Sequence, residues 1–148
     1  MVTLLTWSIL RYNNLKGAKT IDFNDYQATI DRSIHNIDAD KVMLGKYDGG
    51  GPTSYITKAG EDYTYFDLGA DWDTIKEAQG LTDQEMFDLY NTSFLDDAMS
   101  ASKPIHFSHN PIGDTGFLGQ ELQYIINPQN GYGYVFDEIS MIAYPLWK

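Results

Sequence analysis

Three short apolar runs along the chain each break at once into a turn of small and polar residues. Val42-Met43-Leu44 passes into Gly45-Lys46-Tyr47-Asp48-Gly49-Gly50-Gly51. Tyr63-Thr64-Tyr65-Phe66 passes into Asp67-Leu68-Gly69-Ala70-Asp71-Trp72, and Ile105-His106-Phe107 into Ser108-His109-Asn110-Pro111. Apolar runs of this length bounded by turn residues read as strands. Helical patterns follow the first and third turns directly and the second at a distance. The alternation predicts an α/β fold: an open, mainly parallel sheet with flanking helices. In such sheets ligands bind beyond the carboxyl ends of the strands. Turns sharing that edge would bring Lys46, Trp72, Ser108 and His109 to one crevice.

The remaining pattern supplies the helices. Asn24 is a candidate N-cap for a helix carrying Tyr26, Ile30, Ile34 and Ile37, ended by Asp38-Ala39-Asp40 ahead of a strand at Lys41–Leu44. Thr53 or Ser54 can cap a short helix through Lys58, closed by Gly60. Asp73 to Gln79 is helical in composition and Gly80 breaks it. Thr82 and Glu85 have the spacing of a capping box. The helix they open, from Asp83 to about Ser100, places Met86, Phe87, Tyr90, Phe94, Leu95 and Ala98 on one stripe, the mark of a core face. Phe117 to Ile126 reads as a helix ended by Asn127-Pro128, and Asn130-Gly131 as a turn. Tyr132–Phe136 and Ile139–Tyr144 read as late strands, an antiparallel C-terminal hairpin across Asp137-Glu138. Near the start, the apolar run Val2–Leu10 is too short to span a bilayer. It has no basic residues before it and no small-residue cleavage site after it, so it reads as a packing strand or helix turn. Leu15–Lys19 looks like a turn.

At 148 residues the chain is expected to form one domain, with residues 1–39 as a helical or junction segment before a core at 40–148. A hydrophobic fraction of 43% with 14% aromatics fits a folded globule. Against 21 acidic residues stand 10 basic ones, for a net charge of −11. That balance disfavours nucleic acid as a partner, because phosphate binding relies on Lys and Arg. It suits solubility, or a basic partner reached by electrostatic steering. Cysteine is absent, which excludes disulfides, thiol catalysis and Cys-based zinc sites.

The chemistry-bearing motifs are few. No P-loop, no Gly-x-Gly-x-x-Gly after a strand and no Gly-x-Ser-x-Gly elbow is present. His106 and His109 are three apart in or near a strand and point to opposite faces, so no metal site is expected from them. His106 reads as structural. His109 stands at a strand end, where a general acid or a phosphate ligand would sit. Lys46 and Asp48, beside the glycine run, could form a loop closing over an anion. The strongest local candidate is Ser108-His109-Asn110-Pro111 leading to a helix that carries Glu121. Free amides at that helix start suit phosphate, and Glu121 could project toward it. Glu121 as a solvated helix residue and Trp72 as a cover for the core remain the plain alternatives.

Two resemblances rest on these residues. Asp40–Tyr47, Thr53-Ser54-Tyr55-Ile56, Tyr63–Phe66, Trp72, Phe94-Leu95-Asp96, Phe107–Pro111 and Glu121-Leu122-Gln123-Tyr124 resemble, in order, a C-terminal toxin module of bacterial polymorphic toxins, the secreted and Rhs-type proteins. The resemblance implies an effector secreted or delivered into a target cell, acting in its cytoplasm and paired with a cognate immunity protein. More loosely, Leu44-Gly45-Lys46, Ala70-Asp71-Trp72 and Thr115-Gly116-Phe117-Leu118-Gly119-Gln120-Glu121 resemble motifs of the ADP-ribosyl cyclase and NAD glycohydrolase family, with glycine in place of a serine. That family's disulfides have no counterpart here, nor does much of its helical amino-terminal half. The resemblance implies NAD as substrate rather than as a bound cofactor, and cleavage of its nicotinamide–ribose bond by hydrolysis, cyclisation or ADP-ribosyl transfer. It implies Glu121 as the catalytic carboxylate, Trp72 as the residue stacking on nicotinamide, and Lys46, Ser108, His109 and Phe117 as substrate contacts. An oxocarbenium-like intermediate stabilised by a carboxylate makes this chemically coherent. Two other readings stay open: an RNase-type toxin with His109 as base and Lys46 on phosphate, and a non-enzymatic acidic binding or immunity-type module.

Overall fold

The protein is described here from a computed structural model, which covers residues 22–146. The expected elements at Val2–Leu10 and Leu15–Lys19 lie outside the described residues. Helix and strand are mixed, and so is the main sheet. The chain forms two compact units, each assembled from separated stretches.

The first unit takes its described residues from 22–34 and 66–96. Its helix α1 spans Phe23–Ser33, with the side chain of Asp22 capping the amide of Asp25. Asp22 rather than Asn24 is thus the cap, and the helix stops before Ile37. Ile34 turns extended (ψ 123°) and opens the two-residue strand β1, Ile34–His35, leaving Ile37 exposed. α3, Asp71–Gln79, ends at Gly80 in the left-handed region (φ 64°), a conformation glycine adopts without strain. Thr82 and Glu85 form the expected capping box. The helix they open is not uniform: α4, Asp83–Met86, passes through a π-helical turn at Phe87–Asn91 into α5, Thr92–Ser100. The stripe Met86, Phe87, Tyr90, Phe94, Leu95 and Ala98 is buried, and Leu89 joins it. Tyr26 of α1 is buried against this helix. Its ring lies 5.1 Å from that of Tyr90, and its hydroxyl donates to the Leu89 carbonyl at 2.6 Å and shares a hydrogen bond with Ser93. The π turn is therefore anchored by a polar contact inside an apolar core.

The second unit takes residues 35–65 and the chain after 96. Its sheet runs β2 (Val42–Leu44), β4 (Ile105–Phe107), β6 (Ile142–Pro145), β5 (Tyr134–Asp137). β2 and β4 are parallel, with Val42 opposite Ile105 and Leu44 opposite Phe107. A parallel bridge from Val42 to Thr64 extends the parallel part on the far side of β2. Thr64 immediately precedes the short strand β3, Tyr65–Phe66, which pairs with β1. β6 joins β4 antiparallel and pairs with β5 as the C-terminal hairpin. The hairpin turn is longer than the sequence suggests. Ile139 sits in it, 96% exposed, and β6 starts only at Ile142. Asp137 explains the turn: its carboxylate accepts from the Ile139 amide and the Ser140 hydroxyl. α2, Tyr55–Ala59, follows β2, and α6, Phe117–Ile126, packs on β5; its Leu118, Leu122 and Ile125 are buried. Among the described residues no helix is long and apolar enough to cross a membrane.

Candidate functional site

Because β2 and β4 run parallel and in register, their carboxyl ends emerge side by side. The ladder continues past them: the Ser108 amide donates to the Leu44 carbonyl at 2.8 Å. Gly45-Lys46 and Ser108-His109 are thereby neighbours, as the edge rule for such sheets anticipates. Gly45 permits the closeness. A Cβ there would lie 1.8 Å from Ser108 Oγ and 2.7 Å from Tyr55 Cβ.

His109 is oriented by this junction. Its Nδ1 accepts the Lys46 amide at 3.2 Å and lies 2.8 Å from Ser108 Oγ. An amide can only donate, so Nδ1 is unprotonated and the neutral ring carries its proton on Nε2. Burial holds the imidazole below its ordinary range, assisted by the positive charges of Lys58 and Lys46 and opposed by Asp48 and a hydrogen bond to the Thr53 backbone. Lys58, on α2, donates to the Ser108 carbonyl at 3.1 Å. His106, in contrast, sits inside β4 with its ring edge-on to Tyr63, a structural position.

Lys46 also reaches the other way. Its Nζ lies 3.0 Å from Asp114 Oδ2, while Asp114 Oδ1 accepts the amides of Gly116 at 2.8 Å and Gly119 at 3.2 Å. The start of α6 and the nearby lysine, both suited to a phosphate, are thus already engaged by a carboxylate of the chain itself. Lys46 foremost, then the Gly116 amide, hold Asp114 below the usual carboxylate range.

Glu121 lies on the second turn of α6 and is 8% exposed. No donor meets its carboxyl among the described residues. Burial first, and the charge of Asp114 second, push it up to about 8. A buried carboxyl with no ion pair among the described residues is unusual for a purely structural residue. Phe117, half-buried, opens the same helix.

The structure therefore brings Lys46, Ser108 and His109 together and links them through Asp114 to the helix of Glu121. Trp72 belongs to the first unit, on α3, where its indole N–H donates to Asp83 at 3.0 Å; Asp83 also pairs with Lys76 at 2.9 Å. Asp114 was missed in the sequence. The available signal was its spacing to Gly116 and Gly119: a carboxylate followed by glycines at a helix start can fold back on their amides. Among the described residues no group of three His, Cys, Asp or Glu side chains is placed to hold a metal ion.

No protein-family model, no curated protein and no solved structure matches the chain.

Proposed function

We propose that the chain cleaves the nicotinamide–ribose bond of NAD, with Glu121 as the carboxyl that meets the ribose. The observation that carries this reading is the burial of Glu121, which has no ion pair among the described residues, in a helix that starts beside the carboxyl ends of β2 and β4. Such a group is complementary to a ligand that brings the positive charge with it. The oxidised nicotinamide ring does so, and the ribose becomes cationic as the bond breaks.

In the proposed step the C1′–N bond breaks and its electron pair moves to the ring nitrogen. Nicotinamide leaves neutral, and the ribosyl oxocarbenium faces the Glu121 carboxylate. Water, the adenine ring or a target nucleophile then bonds to C1′ and surrenders its proton. Ser108 is the hydrogen-bonding group offered to ribose or phosphate, beside the His109 ring, which is held by the Lys46 amide and the Thr53 backbone. Lys46 meets the ligand as part of its pair with Asp114. In the toxin reading, the protein acts in the cytoplasm of a target cell and is neutralised by a cognate immunity protein.

The test is nicotinamide release from NAD by the purified protein, beside Glu121→Gln, across pH. Release by wild type alone is expected. Because the carboxylate is the working form, kcat/KM should rise with pH toward about 8 and flatten above it. Degradation of RNA with NAD untouched would replace this reading with the nuclease one.

A further inference from the structure

Ser108 and His109 are adjacent in sequence and bonded through their side chains. Ser108 Oγ lies 2.8 Å from His109 Nδ1. The direction of that bond follows from the backbone. Nδ1 also accepts the Lys46 amide at 3.2 Å, so it holds no proton. The proton between the two side chains therefore belongs to Ser108, and the hydroxyl donates. The Thr53 backbone takes a hydrogen bond from the same ring and favours its charged form. With Nδ1 bare, that bond comes from Nε2–H. A hydroxyl that donates to an imidazole whose other nitrogen is held by an acceptor is the arrangement of an activated serine nucleophile.

Gly45 makes room for the pair. A Cβ there would lie 1.8 Å from Ser108 Oγ and 3.0 Å from His109 Nδ1. Both residues are half-buried and stand just past the carboxyl end of β4. The charged groups that act on the ring are Lys58, Lys46 and Asp48. Lys46 is paired with Asp114, and Lys58 donates to the Ser108 carbonyl. Neither ammonium is set aside for an anionic group, which favours an uncharged carbonyl as the electrophile.

We propose that Ser108 is a nucleophile for acyl transfer from a neutral ester, with His109 as its general base. Ser108 Oγ bonds to the ester carbonyl carbon as its proton passes to His109 Nδ1. The ester C–O bond breaks, its electron pair leaves with the alcohol oxygen, and His109 returns the proton to that oxygen. Water then attacks the acyl-serine by the same route and releases the acid. A protonated Nδ1 no longer accepts the Lys46 amide. That amide is therefore released beside the reacting oxygen at the step where negative charge develops on the carbonyl. This activity goes beyond the cleavage of NAD and does not depend on it.

Two measurements on the full chain test the proposal. The first is reaction with p-nitrophenyl acetate, followed by nitrophenol release and by peptide mass spectrometry. Release above that of the urea-unfolded chain is expected, with an acetyl group on Ser108. His109→Gln should slow it by about 10²–10⁴-fold, and Ser108→Ala should remove it. The second measurement needs no ester. The chain has no cysteine, so Ser108→Cys carries a single thiol. Its alkylation by iodoacetamide across pH is expected to titrate well below the ordinary thiol value of about 8.5. Adding His109→Gln should return it toward that value. A thiol that titrates in the ordinary range beside an intact His109 overturns the base role and the proposal with it. A depressed thiol without ester turnover, or acetyl groups confined to lysines, overturns the acyl reaction. If Ser108→Cys does not fold, the mapped acetyl group and His109→Gln decide. Cleavage of NAD stands or falls separately, on nicotinamide release.

Discussion

The carbonyl of Asp114 occupies the space that a side chain on residue 119 would need. A Cβ on Gly119 would stand 2.0 Å from the carbonyl oxygen and 2.9 Å from the carbonyl carbon. Neither atom belongs to a flexible side chain, so the backbone must move. Gly119→Ala is expected to destabilise the protein by about 1–3 kcal/mol and to release Asp114 from its amides. The comparison is Gly50→Ala, where nothing lies within 4 Å of the added Cβ, which should stay within about 0.5 kcal/mol. Denaturation midpoints of the two variants decide it, and equal values would show that the helix start adjusts freely.

Glu121 makes stability depend on pH in a direction opposite to that of most surface carboxylates. Its value in the fold, about 8, stands above the ordinary 4.5. The fold therefore has the full benefit of a protonated Glu121 below pH 4.5, loses it as pH rises to about 8, and loses no more above that. At about 1.4 kcal/mol per pH unit the loss is on the order of 4–5 kcal/mol. Glu121→Gln should abolish this component, so the difference in stability between variant and wild type should grow from pH 5 to 8. A difference independent of pH would mean that Glu121 ionises freely in the fold.

His109 is expected to titrate below the usual histidine range, with Nδ1 bare in the neutral ring. Nitrogen NMR reads both properties directly. Lys58→Met removes one of the positive charges that lower it, so its midpoint should rise. A midpoint that is unchanged would assign the depression to burial and Lys46.

The hydroxyl of Tyr26 links α1 to the π turn through the Leu89 carbonyl and Ser93. Tyr26→Phe keeps the ring packing against Tyr90 and deletes this buried polar contact. The expected cost is about 1–3 kcal/mol, with amide exchange accelerating first at residues 87–93. Exchange that accelerates only elsewhere would show that the π turn stands without Tyr26.

Much of the fold was legible because local rules governed it. The capping box at Thr82–Glu85, the stops at Gly60 and Gly80 and the helix Phe117–Ile126 depend on neighbouring residues alone. The end of α1 was not legible: Ile34 and Ile37 keep helical spacing, but Ile34 is drawn into a ladder with distant sequence. The π turn was also hidden, since both Phe87 and Leu89 are compatible with an ordinary helix face. The parallel neighbours Lys46 and His109 followed from strand grammar, whereas Asp114 did not, because only the folded turn returns its carboxylate to Lys46. Nor could spacing reveal that the indole of Trp72 is bonded to Asp83.

The interleaving of the two units along the sequence has a consequence for synthesis. The Tyr26 hydroxyl meets Ser93, 67 residues later. A chain emerging amino end first has made α1 and most of β2 to β3 before the helix that buries Tyr26 exists. Until then the Tyr26 hydroxyl lacks the Leu89 carbonyl and Ser93, and β2 awaits β4. Each unit is completed by chain that arrives after part of the other has been made, so neither can be finished and set aside on the ribosome before the other has begun.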